Sequence, residues 1–139
     1  LGNDLKWKLG KNGALSISIT TMSASEKMPD FSSFSDVPWS AYKNDIREVY
    51  IEYGISNIGA NAFNGMPNLT SVSLPATVTG IGENAFNQCS SLEHVYYDDS
   101  SDKFDAISIS SGNDPFTSAS VHYNNARGTL GGEIVWEIS

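Results

Sequence analysis

Few side chains in this sequence are of types that do chemistry. They are a single cysteine, Cys89, two histidines, His94 and His122, and an acidic cluster, Asp98-Asp99-Ser100-Ser101-Asp102-Lys103-Phe104-Asp105. A cysteine acts as nucleophile or metal ligand as its thiolate, which needs a positive neighbourhood. The sequence around Cys89 supplies none, and one cysteine makes no intrachain disulfide. Each histidine falls at a strand position that faces away from a core, on different strands and in different rows, so a shared metal site is not expected. The acidic cluster raises calcium, with Asp98, Asp99, Asp102 and Asp105 as weak candidates. It lacks the alternating D-x-[DN]-x-[DN]-G spacing and the closing bidentate Glu of a helix-loop-helix calcium site. It reads instead as a solvated loop whose carboxylates sit at the start of a short helix, where the helix dipole favours them. No GxSxG, HExxH, GxxxxGK[ST] or strand-following GxGxxG occurs. The expectation is no catalysis, no cofactor and no metal.

The elements that would position these residues come from an internal repeat, which determines architecture before any single element does. Residues 46–68 align without gaps on residues 69–91. Val49 falls on Val72, Ile58 on Ile81, Gly59 on Gly82, and Asn61-Ala62-Phe63-Asn64 on Asn84-Ala85-Phe86-Asn87. Ile46 matches Leu69, Ile51 matches Leu74, Ile55 matches Val78, and Met66 matches Cys89, which makes the cysteine a core position. A third, irregular copy spans 92–115, and residues 116–125 read as a closing strand beginning Phe116-Thr117-Ser118-Ala119-Ser120-Val121. Apolar residues at the first, fourth and sixth places of each copy set a short strand on a core, with the residues between them facing away. Ile-Gly then leads into Asn-Ala-Phe, a tight helical turn whose Phe plugs the core beneath the next strand. One unit cannot bury its own apolar face, so the copies must stack into a solenoid.

Stacking the strands on this pattern puts Glu48, Ser71, His94 and Ser118 in one outward row. The next row is Tyr50, Ser73, Tyr96 and Ser120, and the third is Glu52, Pro75, Asp98 and His122. Two tyrosines flanking a small serine make a shallow trough with acidic edges. Tyrosine combines a large contact area with a hydroxyl and suits glycan or peptide contact. The alternative is an ordinary solvated face with aromatics favoured by strand propensity. The candidate ligand-binding residues are therefore Glu48, Tyr50, Glu52, Ser71, Ser73, His94, Tyr96, Asp98, Ser120 and His122.

Composition narrows the partners. With 8 basic and 16 acidic residues the formal charge is −8, which argues against nucleic acid or an anionic membrane as the main partner. No apolar run approaches the roughly 20 residues that span a bilayer, so membrane insertion is not expected. The chain starts at Leu1 without an initiator Met or a basic-then-apolar leader, and any export signal is expected to have been removed or to lie outside it.

The pattern LxxVxLPxxVxxIGxxAFxxCxx at residues 69–91 resembles the BspA-like leucine-rich repeat family, the 23-residue type of bacterial cell-surface proteins. Residues 46–68 depart from it with Glu52 at the Pro place and Met66 at the Cys place. The flanks are similar to the family's end pieces. Leu5-Lys6-Trp7-Lys8-Leu9, Gly10-Lys11-Asn12-Gly13 and Leu15-Ser16-Ile17-Ser18-Ile19 read as a β-hairpin. Met28 through Trp39 to Tyr42 then forms an anchoring loop, so that residues 1–45 are an N-terminal cap. The stretch from Val95 to Asn124 is similar to the closing segment of such arrays, with Phe104 where that segment commonly has Trp. The expected fold is a leucine-rich repeat solenoid, a short parallel β-sheet with tight helical turns on the convex side, mostly β with little helix.

Residues 130–138, LGGEIVWEI, echo residues 1–9, LGNDLKWKL, at an offset of 129. Residues 126–139 are thus expected to start another module of a tandem array, or to be a capping strand. An orphaned strand there would have an edge able to pair with another copy's hairpin. The resemblance implies a non-enzymatic, extracellular module, attached to the cell surface or wall and serving adhesion to a host or neighbouring-cell protein or glycan through a concave sheet. A structural spacer and an accessory module of a larger secreted hydrolase are the alternatives.

Overall fold

Each apolar triplet of the repeat forms a strand, and the strands add side by side. The computed structural model describes residues 5–20 and 26–123. The strands are β1 (Leu5–Leu9), β2 (Ala14–Ile19), β3 (Glu26–Lys27), β4 (Glu48–Ile51), β5 (Ile55–Ile58), β6 (Ser71–Leu74), β7 (Gly80–Ile81), β8 (His94–Tyr97), β9 (Ser108–Ile109) and β10 (Ser120–Tyr123). Two short helices, α1 (Ser101–Asp105) and α2 (Asp114–Thr117), and two single 3-10 turns complete the described elements. A six-stranded sheet runs β1-β2-β4-β6-β8-β10 and a four-stranded sheet runs β3-β5-β7-β9. All pairings are parallel except the β1–β2 hairpin. The hairpin therefore caps the stack and also supplies its first parallel strand, since β2 pairs with β4 from Ala14↔Glu48 to Ile17↔Ile51. The second sheet has no counterpart in the sequence reading. It arises because Ile55, Ile58 and Ile81 are buried while the residues beside them bond to the equivalent stretch of the next copy.

Val49, Ile51, Val72, Leu74, Val95 and Tyr97 of the long sheet, with Leu15 and Ile17 of the hairpin, are buried against the short sheet. A ladder of rings runs through this core. Trp39 stacks on Phe63 at 5.6 Å, Phe63 on Phe86 at 5.4 Å, and Phe86 on Phe116 at 5.0 Å, all within about 22° of parallel and all fully buried. Burying a ring of this size removes on the order of 150–250 Å² from water. Trp39, anticipated as an anchor, is the ladder's first rung, and its indole Nε1–H donates to the carbonyl of Ala62 at 2.9 Å. The Ile-Gly-x-Asn-Ala-Phe segments form i+3→i turns, with Asn61 and Asn84 at φ 62° and 59°. A side chain on Gly82 would lie 2.6 Å from the backbone N of Ala60, so glycine alone lets adjacent turns nest.

Phe116 corrects the expected fourth strand. It is the last rung of the ladder, inside α2, and β10 begins only at Ser120. Phe63 and Phe86 are 23 residues apart, whereas Phe86 and Phe116 are 30 apart. Most of the surplus lies between β8 and β9, where α1 sits. Phe104 of α1 meets Tyr97 at 5.3 Å and Phe116 at 6.0 Å, closing that end of the core. Asn113, the one buried polar residue among those described, holds the enlarged copy in place. Its Oδ1 accepts from the backbone N of Phe86 at 2.9 Å, and its Nδ2 donates to the carbonyls of Gly82 and Ser110. The expected next module and the self-associating strand at residues 126–139 lie outside the described residues.

Candidate functional site

The period-two alternation that buries one face of each strand turns the other face of the long sheet outward. Pairing registers align Ala14, Glu48, Ser71, His94 and Ser120 in a first outward row. A second row crosses all six strands as Lys8, Ser16, Tyr50, Ser73, Tyr96 and His122. At the usual strand spacing that row is about 24 Å long. Glu52 and Asp98 follow the ends of their strands and are exposed, while Pro75 between them is buried.

The final strand departs from the expected rows by two residues. Ser120, not Ser118, stands beside His94, and His122 stands beside Tyr96 rather than beside Asp98. Ser118 is the C-terminal cap of α2 and takes no part in the sheet. The cause is the placement of Phe116 in the ladder. Phe63 and Phe86 are each eight residues ahead of the first-row residue of the next strand, and Phe116 is only four ahead of Ser120.

This register gathers three rings on the outer surface. Tyr96 stacks on His122 at 4.8 Å and 19°, and His94 lies 5.1 Å from His122 and 6.1 Å from Tyr96. Nδ1 of His94 and Nε2 of His122 are 3.0 Å apart, a hydrogen bond in which either ring can be the donor. The sequence reading, which set the histidines in separated rows, did not foresee this contact. Tyr96 is 44% exposed, so its face is available to solvent. Two strands away, the Tyr50 hydroxyl donates to Oε1 of Glu48 at 3.0 Å. That hydrogen bond to a carboxylate, helped by partial burial and the negative charge of Glu48, pushes the Tyr50 phenol above its ordinary range and keeps it protonated. Half-buried Ser73 forms the floor between Tyr50 and the ring cluster.

Other candidates fall elsewhere. Asp99 accepts from the backbone N of Ser100, and the Ser100 hydroxyl, not a carboxylate, caps α1 by accepting from the Lys103 N–H. Among the described residues no three or more His, Cys, Asp or Glu side chains converge as a metal cluster. Cys89 is buried in the core, its Sγ–H donating to the Phe63 carbonyl at 3.0 Å. Burial pushes that thiol up to about 11, which keeps it protonated and unreactive at neutral pH. Lys8 and Ser16 were missed as members of the outward face. Their signal was present in the hairpin's own alternation, where Lys6, Lys8, Ser16 and Ser18 occupy the polar places.

Residues 18–117 match the BspA type leucine-rich repeat region, with six copies. No curated protein matches the chain. Among solved structures it is similar to a leucine-rich repeat protein from Eubacterium ventriosum, at 28% identity and a TM-score of 0.58 over 71% of this chain. It is also similar to a leucine-rich cell surface protein from Faecalibacterium prausnitzii, at 17% identity and a TM-score of 0.39 over 78% of this chain. The chain spans 30% of the length of the first and 41% of the second. With the repeat signature extending over most of its length and the repeat geometry in place, this chain belongs to the BspA-type leucine-rich repeat family.

Proposed function

We propose that the protein is a non-enzymatic recognition module on the outside of a bacterial cell, attached to its surface or wall. Its outward sheet face would bind a protein or glycan of a host or neighbouring cell. The observation that carries this reading is the second row, in which Tyr50, half-buried Ser73 and the Tyr96–His122 stack form an exposed aromatic trough. Aromatic faces with a polar edge bind sugar rings and extended peptides through apolar contact plus directed hydrogen bonds. The polar, acidic composition and the family's occurrence in cell-surface proteins support the location. Its only thiol is buried and protonated, which leaves that group no nucleophilic role. A single shallow trough binds weakly, and display of several copies raises the effective affinity.

The test is binding of the chain, coupled in many copies to a bead, to arrays of glycans and extracellular-matrix proteins. The expected result is a defined set of ligands whose capture falls at least about tenfold in the Tyr50→Ala/Tyr96→Ala double variant. Capture unchanged in that variant would remove the trough as the site. An array without ligands would favour the structural spacer.

A further inference from the structure

Both histidines of the chain end in one contact, although they are 28 residues apart and come from an irregular part of the repeat. We infer that His94 and His122 form a two-imidazole site for a divalent transition-metal ion that prefers nitrogen, with Cu2+ held most tightly and Ni2+ and Zn2+ less so. Two imidazole nitrogens on one such ion, each about 2.0–2.1 Å from it and at neighbouring coordination positions, are about 2.9–3.4 Å apart. Nδ1 of His94 and Nε2 of His122 are already 3.0 Å apart. The pair is diagonal across β8 and β10, with His94 in the first row and His122 in the second, so the two backbones hold the donors at that separation. Tyr96 packs on His122 and limits its ring to small rotations, while the His94 side chain is 42% exposed and turns to converge on the ion.

In the free protein one of the two facing nitrogens carries the N–H that joins the rings. On metal binding that proton moves through water to the other nitrogen of the same ring, so that both facing nitrogens present lone pairs to the ion. Oε1 of Glu93, 3.9 Å from Nε2 of His94, places a negative charge beside the site that favours the bound cation. Water fills the remaining coordination positions. The site does not depend on the chain binding any protein or glycan, so its test is separate from that of the proposed function.

The experiment is titration of the tag-free 139-residue chain with Cu2+ and, separately, Ni2+, by calorimetry and, for Cu2+, by electron paramagnetic resonance. The expected result is one tightly held ion per chain with a two-nitrogen hyperfine pattern. Affinity should fall about tenfold or more in His94→Gln and equally in His122→Gln, and a few-fold in Glu93→Gln. The His94→Gln/His122→Gln double variant reports binding at the amino terminus and the carboxylates. The substituted side chains are all at least partly exposed, and unchanged circular dichroism checks the folding of the variants. An affinity in the wild type no greater than in the double variant would overturn the site. So would an affinity that survives intact in His122→Gln, because one imidazole would then account for it.

Discussion

Two sets of stacked rings cross this molecule, one in its core and one on its surface. The ladder Trp39–Phe63–Phe86–Phe116 is fully buried, whereas the His94–Tyr96–His122 cluster lies on the outward face and is only partly covered. Their spacings are alike, 5.0–5.6 Å inside and 4.8–5.1 Å for the two closer outside contacts, because both follow the strand-to-strand separation of stacked repeats. The same geometry has opposite consequences. Inside, each ring has lost its water and made close contacts on both faces, so it stabilises the fold. Outside, part of the ring surface is still hydrated, so it contributes less to the fold. Position relative to the sheet, more than residue type, decides how much an aromatic residue contributes to stability here.

The contrast between the two sets of rings should be greatest at Phe86, the rung with a ring on either side. Phe86→Ala is expected to lower unfolding free energy by about 3–5 kcal/mol in denaturant titration. A loss under about 1 kcal/mol would mean the ladder is not a principal support of the fold. The buried side of the contrast can also be probed through Cys89, which packs beside the ladder. Burial raises its folded-state value from 9.0 to about 11, so the unfolded chain loses the thiol proton first as pH rises. The contribution is complete below about pH 9 and is lost as pH climbs through about 11, a change on the order of 2–3 kcal/mol. The difference in stability between wild type and Cys89→Ala, followed from about pH 8 to about pH 11.5, should shrink by that amount. A difference that stays constant would contradict the raised thiol. Tyr96→Ala should have the smallest effect on stability, under about 1 kcal/mol, since its side chain is partly exposed and lies outside the buried core. If it proved as damaging as Phe86→Ala in the same titration, the surface cluster would be part of the core support and not a free binding face.

Much of the fold was legible because it repeats. Ile46, Val49 and Ile51, and Leu69, Val72 and Leu74, were placed in the core by spacing alone, and all six are buried. Cys89 was read as a core residue from its match to Met66, and both are buried. The β1–β2 hairpin was legible from its turn residues and alternation, although its role as first strand of the parallel sheet was not. The short sheet was missed because three of its four strands are two residues long, which leaves no period to read. On the outward face, Tyr50, Ser73 and Tyr96 were placed in one row because the 23-residue spacing still holds at the start of the third copy, and the registers agree. His122 was misplaced because its strand follows the enlarged copy, where counting from the previous repeat no longer gives the register.

The sequence by itself determined that copies of 23 residues stack, which face of each strand is apolar, and that the lone cysteine is a core residue. Those properties are local and recur at fixed spacing, so one copy checks another. Only the tertiary structure decided that Trp39 and Phe116 end the ring ladder and that His94 meets His122. The physical reason is that an insertion erases the spacing signal, while burial still drives Phe116 against Phe86. The register of β10 is therefore set by where that ring must sit in the core and not by the distance along the chain from the strand before it.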